Sequence, residues 1–164
     1  MTAHEPIDRS RLAVFLSGSG RTLVNLHDRI EDGTLNARIV DVVASRPCMG
    51  IDRARELGYD PEIVPGDLDA DQLLALVQRE GVGLIVLAGY LRRVPVPPPL
   101  VRRIVNIHPA LLPGDGTGGR FGGPGLYGER VHRAVLEAGE TESGCTVHYC
   151  DEAYDAGPVI LRRT

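Results

Sequence analysis

The chain has 164 residues, 43% hydrophobic and 24% charged, with a net charge of −4. Those values suit one soluble globular domain with a sizeable core. With a pI near 5.7 there is no basic footprint for nucleic acid, and no apolar run approaches the roughly 20 residues needed to span a bilayer.

The opening MTAHEPIDRS is polar, which excludes a signal peptide and predicts a flexible N-terminus over residues 1–10. Leu12–Leu16 is a short continuous apolar run, the mark of a strand buried on both faces. SGSGRT follows, then an amphipathic stretch from Leu23 to Ile30 that ends near Gly33. Ala37–Ala44 reads as a second strand. Met49–Leu57, stopped by Gly58, reads as a helix. Tyr59–Val64 reads as a shorter third strand. Asp67 is the expected N-cap of a helix with a stripe of Leu68, Leu73, Leu74, Leu76 and Val77.

Leu84–Ala88 is a further apolar strand. The PVPPP run at 95–99 forms a loop or helix start, and a strand then leads into Asn106. The alternation predicts a single doubly wound, mostly parallel Rossmann-like α/β sheet over 1–164. Residues 114–125 hold seven of the 20 glycines and no periodicity, which predicts a mobile Gly-rich loop. Tyr127–Ala138 restores a helix. Gly144–Tyr149 is a strand, 151–157 a turn-rich loop, and Val159–Leu161 a last strand.

Chemistry concentrates at Asn106-Ile107-His108-Pro109. Two residues apart on a strand, Asn106 and His108 share one face, and Pro109 ends the ladder because it lacks an N–H. An amide donor and a titratable imidazole at a strand's carboxyl end can stabilise an oxyanion and move a proton. The alternative is a capped strand end beside a surface histidine. Asp155 offers a carboxylate before Ala-Gly-Pro, where an Asx turn would also use it. Of the other histidines, His27 and His132 sit in helices. His148, on a strand, suits a structural hydrogen bond at least as well as a place near the site.

Ser17-Gly18-Ser19-Gly20 lies between the first strand and the first helix. Glycines allow close backbone approach, and a helix N-terminus offers unpaired N–H groups to an anion. A plain tight turn would use the same glycines. A dinucleotide fingerprint would need glycine where Leu23 stands, although Arg46 could then face an NADP 2′-phosphate. Cys48, Cys145 and Cys150 show no CxxC spacing, which points to reduced thiols in a cytoplasmic protein. No metal is expected, since no histidine pair has ligand spacing.

The combination of SGSGRTL (17–23), LIVLAGYLRRV (84–94), NIHPALLP (106–113) and SGCTVHYCDEAYDAGPVIL (143–161), in this order, resembles the folate-dependent formyltransferase family. The resemblance runs from the first strand to the end of the chain. It implies formyl transfer from 10-formyltetrahydrofolate, as co-substrate, to the amine of glycinamide ribonucleotide in purine biosynthesis. It assigns Asn106, His108 and Asp155 as the catalytic trio, with Asp155 tuning the imidazole or fixing a proton-shuttling water. Gly18, Ser19, Gly20, Arg21 and Thr22 would hold the substrate phosphate. Leu91, Arg92, Val94, Asp151, Glu152, Ala153 and Tyr154 would line the folate site. Family members usually run on through another strand and helix after the position of Thr164, so a shortened formyltransferase fold is expected.

A formyltetrahydrofolate hydrolase shares the trio but carries an N-terminal regulatory domain, for which ten leading residues leave no room. A methionyl-tRNA formyltransferase needs an RNA-binding domain and a basic face. An NADP-dependent Rossmann oxidoreductase and a truncated, non-catalytic folate- or nucleotide-binding relative are the remaining alternatives. The expected partners are small molecules, with no nucleic acid or membrane, and the expected state is a monomer or homodimer.

Overall fold

The computed structural model describes residues 8–164. Most of the segment expected to be a flexible N-terminus therefore lies outside the described residues. Seven strands form one sheet: β1 (Arg11–Leu16), β2 (Arg38–Ala44), β3 (Glu62–Ile63), β4 (Leu84–Leu87), β5 (Ile104–His108), β6 (Cys145–Tyr149) and β7 (Val159–Arg163). Four helices accompany them: α1 (Arg21–Glu31), α2 (Met49–Glu56), α3 (Ala70–Glu80) and α4 (Glu129–Glu137).

The sheet order is β3-β2-β1-β4-β5-β6-β7. Strands β1 to β5 are parallel, whereas β6 and β7 run antiparallel to their neighbours. This is the doubly wound, mostly parallel sheet that the alternation predicts. Chain direction across the sheet reverses between β1 and β4, and a crevice opens at the carboxyl ends of strands where the order reverses.

The sequence explains the layering. Leu12 to Leu16 of β1 are at most 5% exposed, because helices cover both faces of the central strand. Val14, Leu16, Val42 and Ala44 pack with Leu23 of α1 and with Ile51 and Ala54 of α2. On the other face Ala13, Phe15, Val43 and Ile85 pack with Leu73, Leu76 and Val77 of α3. Alternate residues of one apolar run thus feed two cores.

Of the boundaries that differ from expectation, two have clear local reasons. The N-cap of α3 is Asp69, not Asp67. Asp69 accepts from Gln72 N at 2.8 Å, and Gln72 returns its side-chain oxygen to Asp69 N at 3.0 Å. Only the 69–72 pair has the Asp-x-x-Gln spacing of a reciprocal cap, and Leu68 and Leu73 flank it within one core cluster, as in a hydrophobic staple. The strand expected over 59–64 shrinks to Glu62–Ile63. Tyr59 N is committed to the end of α2, at 2.9 Å from Ala54 O, and Pro61 has no N–H to give.

Candidate active site

Pro109 ends β5 as expected, and Asn106 and His108 project from its carboxyl end toward Asp155. Asp155 lies in the loop between β6 and β7 with a left-handed φ of 55°, a conformation that Asp tolerates better than most residues. One carboxylate oxygen gathers the group. Asn106 Nδ2 donates to Asp155 Oδ1 at 3.2 Å, and His108 Nδ1 stands 3.4 Å from the same atom. His148 Nε2 approaches it at 3.5 Å, while the second oxygen accepts from Gly123 N at 2.9 Å.

Burial pushes the Asp155 carboxyl upward, yet the contacts from the His108 side chain and the Gly123 N–H outweigh it. The group is held well below the ordinary carboxylate range. Asp155 is therefore a fixed anion at neutral pH. His108, buried at 3% exposure, turns Nε2 to the Phe121 carbonyl at 2.7 Å, so that nitrogen carries a hydrogen.

His148 belongs to this cluster, although its sequence context suits a structural role at least as well. It sits opposite Asn106 in the β5–β6 ladder. Its Nδ1 faces the Tyr149 carbonyl at 2.9 Å, so Nδ1 donates. In the neutral ring Nε2 is then free to accept from Asn106 Nδ2, 3.2 Å away. Thr146, opposite His108, is a further residue that the motif reading passes over. Its fully buried hydroxyl donates to Ala110 O at 2.7 Å and accepts from Leu112 N at 2.9 Å, which fixes the chain as it leaves β5. The available signal was the period of two along β6, which puts Thr146 and His148 on one face.

A cavity of about 540 Å³ opens beside the trio. It is lined by Gly18–Thr22 after β1, by Leu91, Arg92 and Val94 after β4, and by residues 151–155 after β6, so every residue expected at the site reaches one cavity. Arg93, His132 and the 123–128 segment also line it, and they had no distinguishing motif. Arg93 Nη2 donates to Glu152 O at 3.3 Å, joining two of the walls.

At the glycine end, Gly20 caps α1 with φ 73° and no side chain satisfies the helix's first N–H groups. A Cβ at Gly20 would stand 2.7 Å from Gly50 Cα, so α1 and α2 meet here through two glycines. Buried Ser17 ties this loop to the neighbouring wall at Leu91: its hydroxyl contacts Ser45 Oγ at 2.7 Å and accepts from Leu91 N at 2.9 Å.

The dinucleotide alternative fails on this geometry. Leu23, where the third glycine would stand, is fully buried in the α1–α2 core, and Arg46 is directed at Ser17 O, 3.0 Å away. The 114–125 segment has neither helix nor strand, as its composition predicts, and its 121–123 part closes on His108 and Asp155. Burial, with Asp155 and Asp151 nearby, raises the Cys150 thiol to about 12, so this cavity-lining cysteine is no nucleophile.

Residues 10–164 match the family model described as formyl transferase. The chain is 39% identical over 171 residues to a chloroplastic phosphoribosylglycinamide formyltransferase of Arabidopsis thaliana, covering 98% of this chain and 56% of that protein. It is 38% identical to the trifunctional purine biosynthetic protein adenosine-3 of Drosophila melanogaster, covering 94% of this chain and 11% of that one. The chain thus spans about half the length of the plant relatives it matches. Among solved structures, glycinamide ribonucleotide transformylase 1 from Symbiobacterium toebii superposes with a TM-score of 0.78 at 34% identity, over 93% of this chain and 71% of that one. With the family's model matched from β1 to the last strand, the chain belongs to the formyl transferase family.

Proposed function

We propose that the chain is one catalytic domain that transfers a formyl group from 10-formyltetrahydrofolate to the amine of glycinamide ribonucleotide, a step of purine biosynthesis. The observation that carries this reading is the convergence of Asn106, His108 and His148 on one oxygen of Asp155, midway along a cavity with unpaired helix N–H groups at one end.

The residues present fit both ligands. The uncapped start of α1, with Arg21 and Thr22 beside it, suits a phosphate ester. Another part of the cavity has buried apolar surface from Val94 between two backbone segments, 89–94 and 151–155, whose N–H and C=O groups can read the edges of a pteridine ring. A volume of about 540 Å³ suits a small organic ligand of this class.

In the reaction the substrate amine attacks the formyl carbon, and the carbonyl oxygen becomes an oxyanion. Asn106 and His108 donate hydrogen bonds to it. In this structure the His108 Nε2 hydrogen goes to the Phe121 carbonyl and the two Asn106 Nδ2 hydrogens go to Asp155 and His148, so the oxyanion must draw each donor away from an acceptor it already has. Asp155 holds the imidazole and the amide in place. It stays ionised, so it can orient a water that takes the proton from the attacking nitrogen. Collapse breaks the bond from the formyl carbon to the folate nitrogen, which receives that proton.

Small-molecule partners follow from this reading. A reducing, cytoplasmic setting is supported by the three free cysteines. No helix among the described residues is long and apolar enough to cross a membrane.

The test is formyl transfer to glycinamide ribonucleotide from 10-formyltetrahydrofolate by the chain and by His108→Ala. The expected result is transfer that the substitution lowers by a hundredfold or more, on the order seen when an oxyanion donor is lost. Folate binding without transfer would leave the non-catalytic reading in its place.

A further inference from the structure

Three consecutive carbonyls, those of Ser17, Gly18 and Ser19, are each engaged by the β2–α2 connection or by α2 itself. Arg46 Nε donates to Ser17 O at 3.0 Å, Gly50 N to Gly18 O at 2.9 Å, and Arg53 Nη1 to Ser19 O at 2.5 Å. None of the three donors lines the cavity, whereas Gly18–Thr22 do. The carbonyl oxygens of the loop are therefore bound from behind. A carbonyl turned toward the cavity would repel an anion, and one held at the back cannot rotate there without losing its donor. What remains facing forward is the uncapped first turn of α1, where no side chain satisfies the N–H groups.

The steric fit is equally specific. A Cβ on Gly50 would stand 2.8 Å from Leu16 Cδ1, 3.0 Å from Gly18 O and 3.2 Å from Gly20 Cα. Only glycine at this position of α2 lets the loop settle against the helix, and Gly20 requires the same closeness from its own side. Arg46 is exposed, Arg53 is half-buried, and both lie outside the core clusters.

We propose that Arg46, Gly50 and Arg53 are positioning residues. They form a mould that holds the 17–20 loop with its carbonyls to the rear, and so they set the affinity of the cavity's glycine end for a phosphate ester without touching it. The proposal rests on the reading of that end as the phosphate site. It predicts an asymmetric defect: weaker binding of the phosphate-bearing substrate, with the folate end and the chemical step spared.

The experiment compares the wild type with Arg53→Ala, Arg53→Lys and the double Arg46→Ala/Arg53→Ala variant. The readouts are KM for each substrate, kcat, and calorimetric binding of glycinamide ribonucleotide. The double variant should raise the ribonucleotide KM and Kd roughly tenfold, as expected when hydrogen bonds holding a binding loop are lost. The folate KM and kcat should stay within about twofold, and Arg53→Lys, which can still donate to Ser19 O, should recover part of the loss. Equal loss for both substrates, or no change in either, overturns the proposal, as does a wild type that binds no ribonucleotide. Wild-type binding without transfer overturns the assigned reaction alone, and the Kd comparison then still decides the mould.

Discussion

Asn106 and His148 stand directly opposite each other across the antiparallel β5–β6 ladder, with Asn106 Nδ2 3.2 Å from His148 Nε2. The second Asn106 hydrogen goes to Asp155. A carboxamide can be inserted either way round, and this pair of acceptors selects one. Replacing His148 by Ala removes the selection, and the expected cost is roughly tenfold in kcat, against a hundredfold or more for Asn106→Ala. Because His148 acts through Asn106, the double variant should be no more than about threefold worse than Asn106→Ala alone. Steady-state kinetics on the four proteins, with melting curves as a control for folding, checks the cycle.

The Asp155 carboxyl carries a stability signature of definite sign. Its folded pKa lies below the ordinary value of 3.8, so the folded state favours the anion. That contribution is complete above the unfolded pKa and is lost as pH falls through the folded one. Asp155→Asn should therefore cost on the order of 2 kcal/mol at pH 7, with the gap between variant and wild type narrowing below about pH 4. Denaturant titrations at pH 7 and pH 3.5 measure it. A gap that is constant with pH would assign the loss to packing.

Asp41 gives the opposite sign. Its side chain on β2 is 7% exposed, Oδ2 has no hydrogen-bond partner among the described residues, and Arg79 stands 4.0 Å away. Burial, partly offset by Arg79, raises the carboxyl to about 6. A raised acid contributes stability below its unfolded value of 3.8 that is lost as pH rises through about 6. Asp41→Asn should then stabilise the protein at pH 7.5 by on the order of 1–2 kcal/mol and have little effect near pH 4. Thermal melts across that range test the prediction, and a stabilisation that is equal at both ends would refute it.

Gly122 bears on the same centre from the loop side. A Cβ there would stand 2.4 Å from Gly118 O and 3.0 Å from Asp155 Cβ. Gly122→Ala should push the 121–123 segment off His108 and Asp155 and lower kcat about tenfold or more, since small displacements of positioned groups are costly. The melting temperature should move by only a few degrees, because this loop meets only the small Ala110, Val131 and Val135 cluster, through Phe121, and neither of the two larger cores. Kinetics and calorimetry on the one variant suffice.

Local signals carried far into this structure. Apolar runs located β1, β4 and β5, and glycines with an uncapped helix start located the loop at 18–22. Asn106 and His108 were legible because a strand's period of two and a terminating proline fix where side chains point. Asp69 as N-cap was also written in the sequence, in the 69–72 spacing. Less accessible was anything set by antiparallel register. His148 and Thr146 acquire their roles from standing opposite Asn106 and His108, a pairing decided by the long 109–144 connection. The contact of Phe121 O and Gly123 N with the trio is likewise a tertiary outcome, since that stretch has no period from which to read a direction.

Ser17 ties two walls of the cavity to one strand. One buried residue begins the glycine loop and, through its hydroxyl, takes the Leu91 N–H of the neighbouring wall. Both walls therefore share an anchor at the tip of β1, the most enclosed strand of the sheet. Together they make one rigid jaw, a common reference against which any molecule touching both is measured.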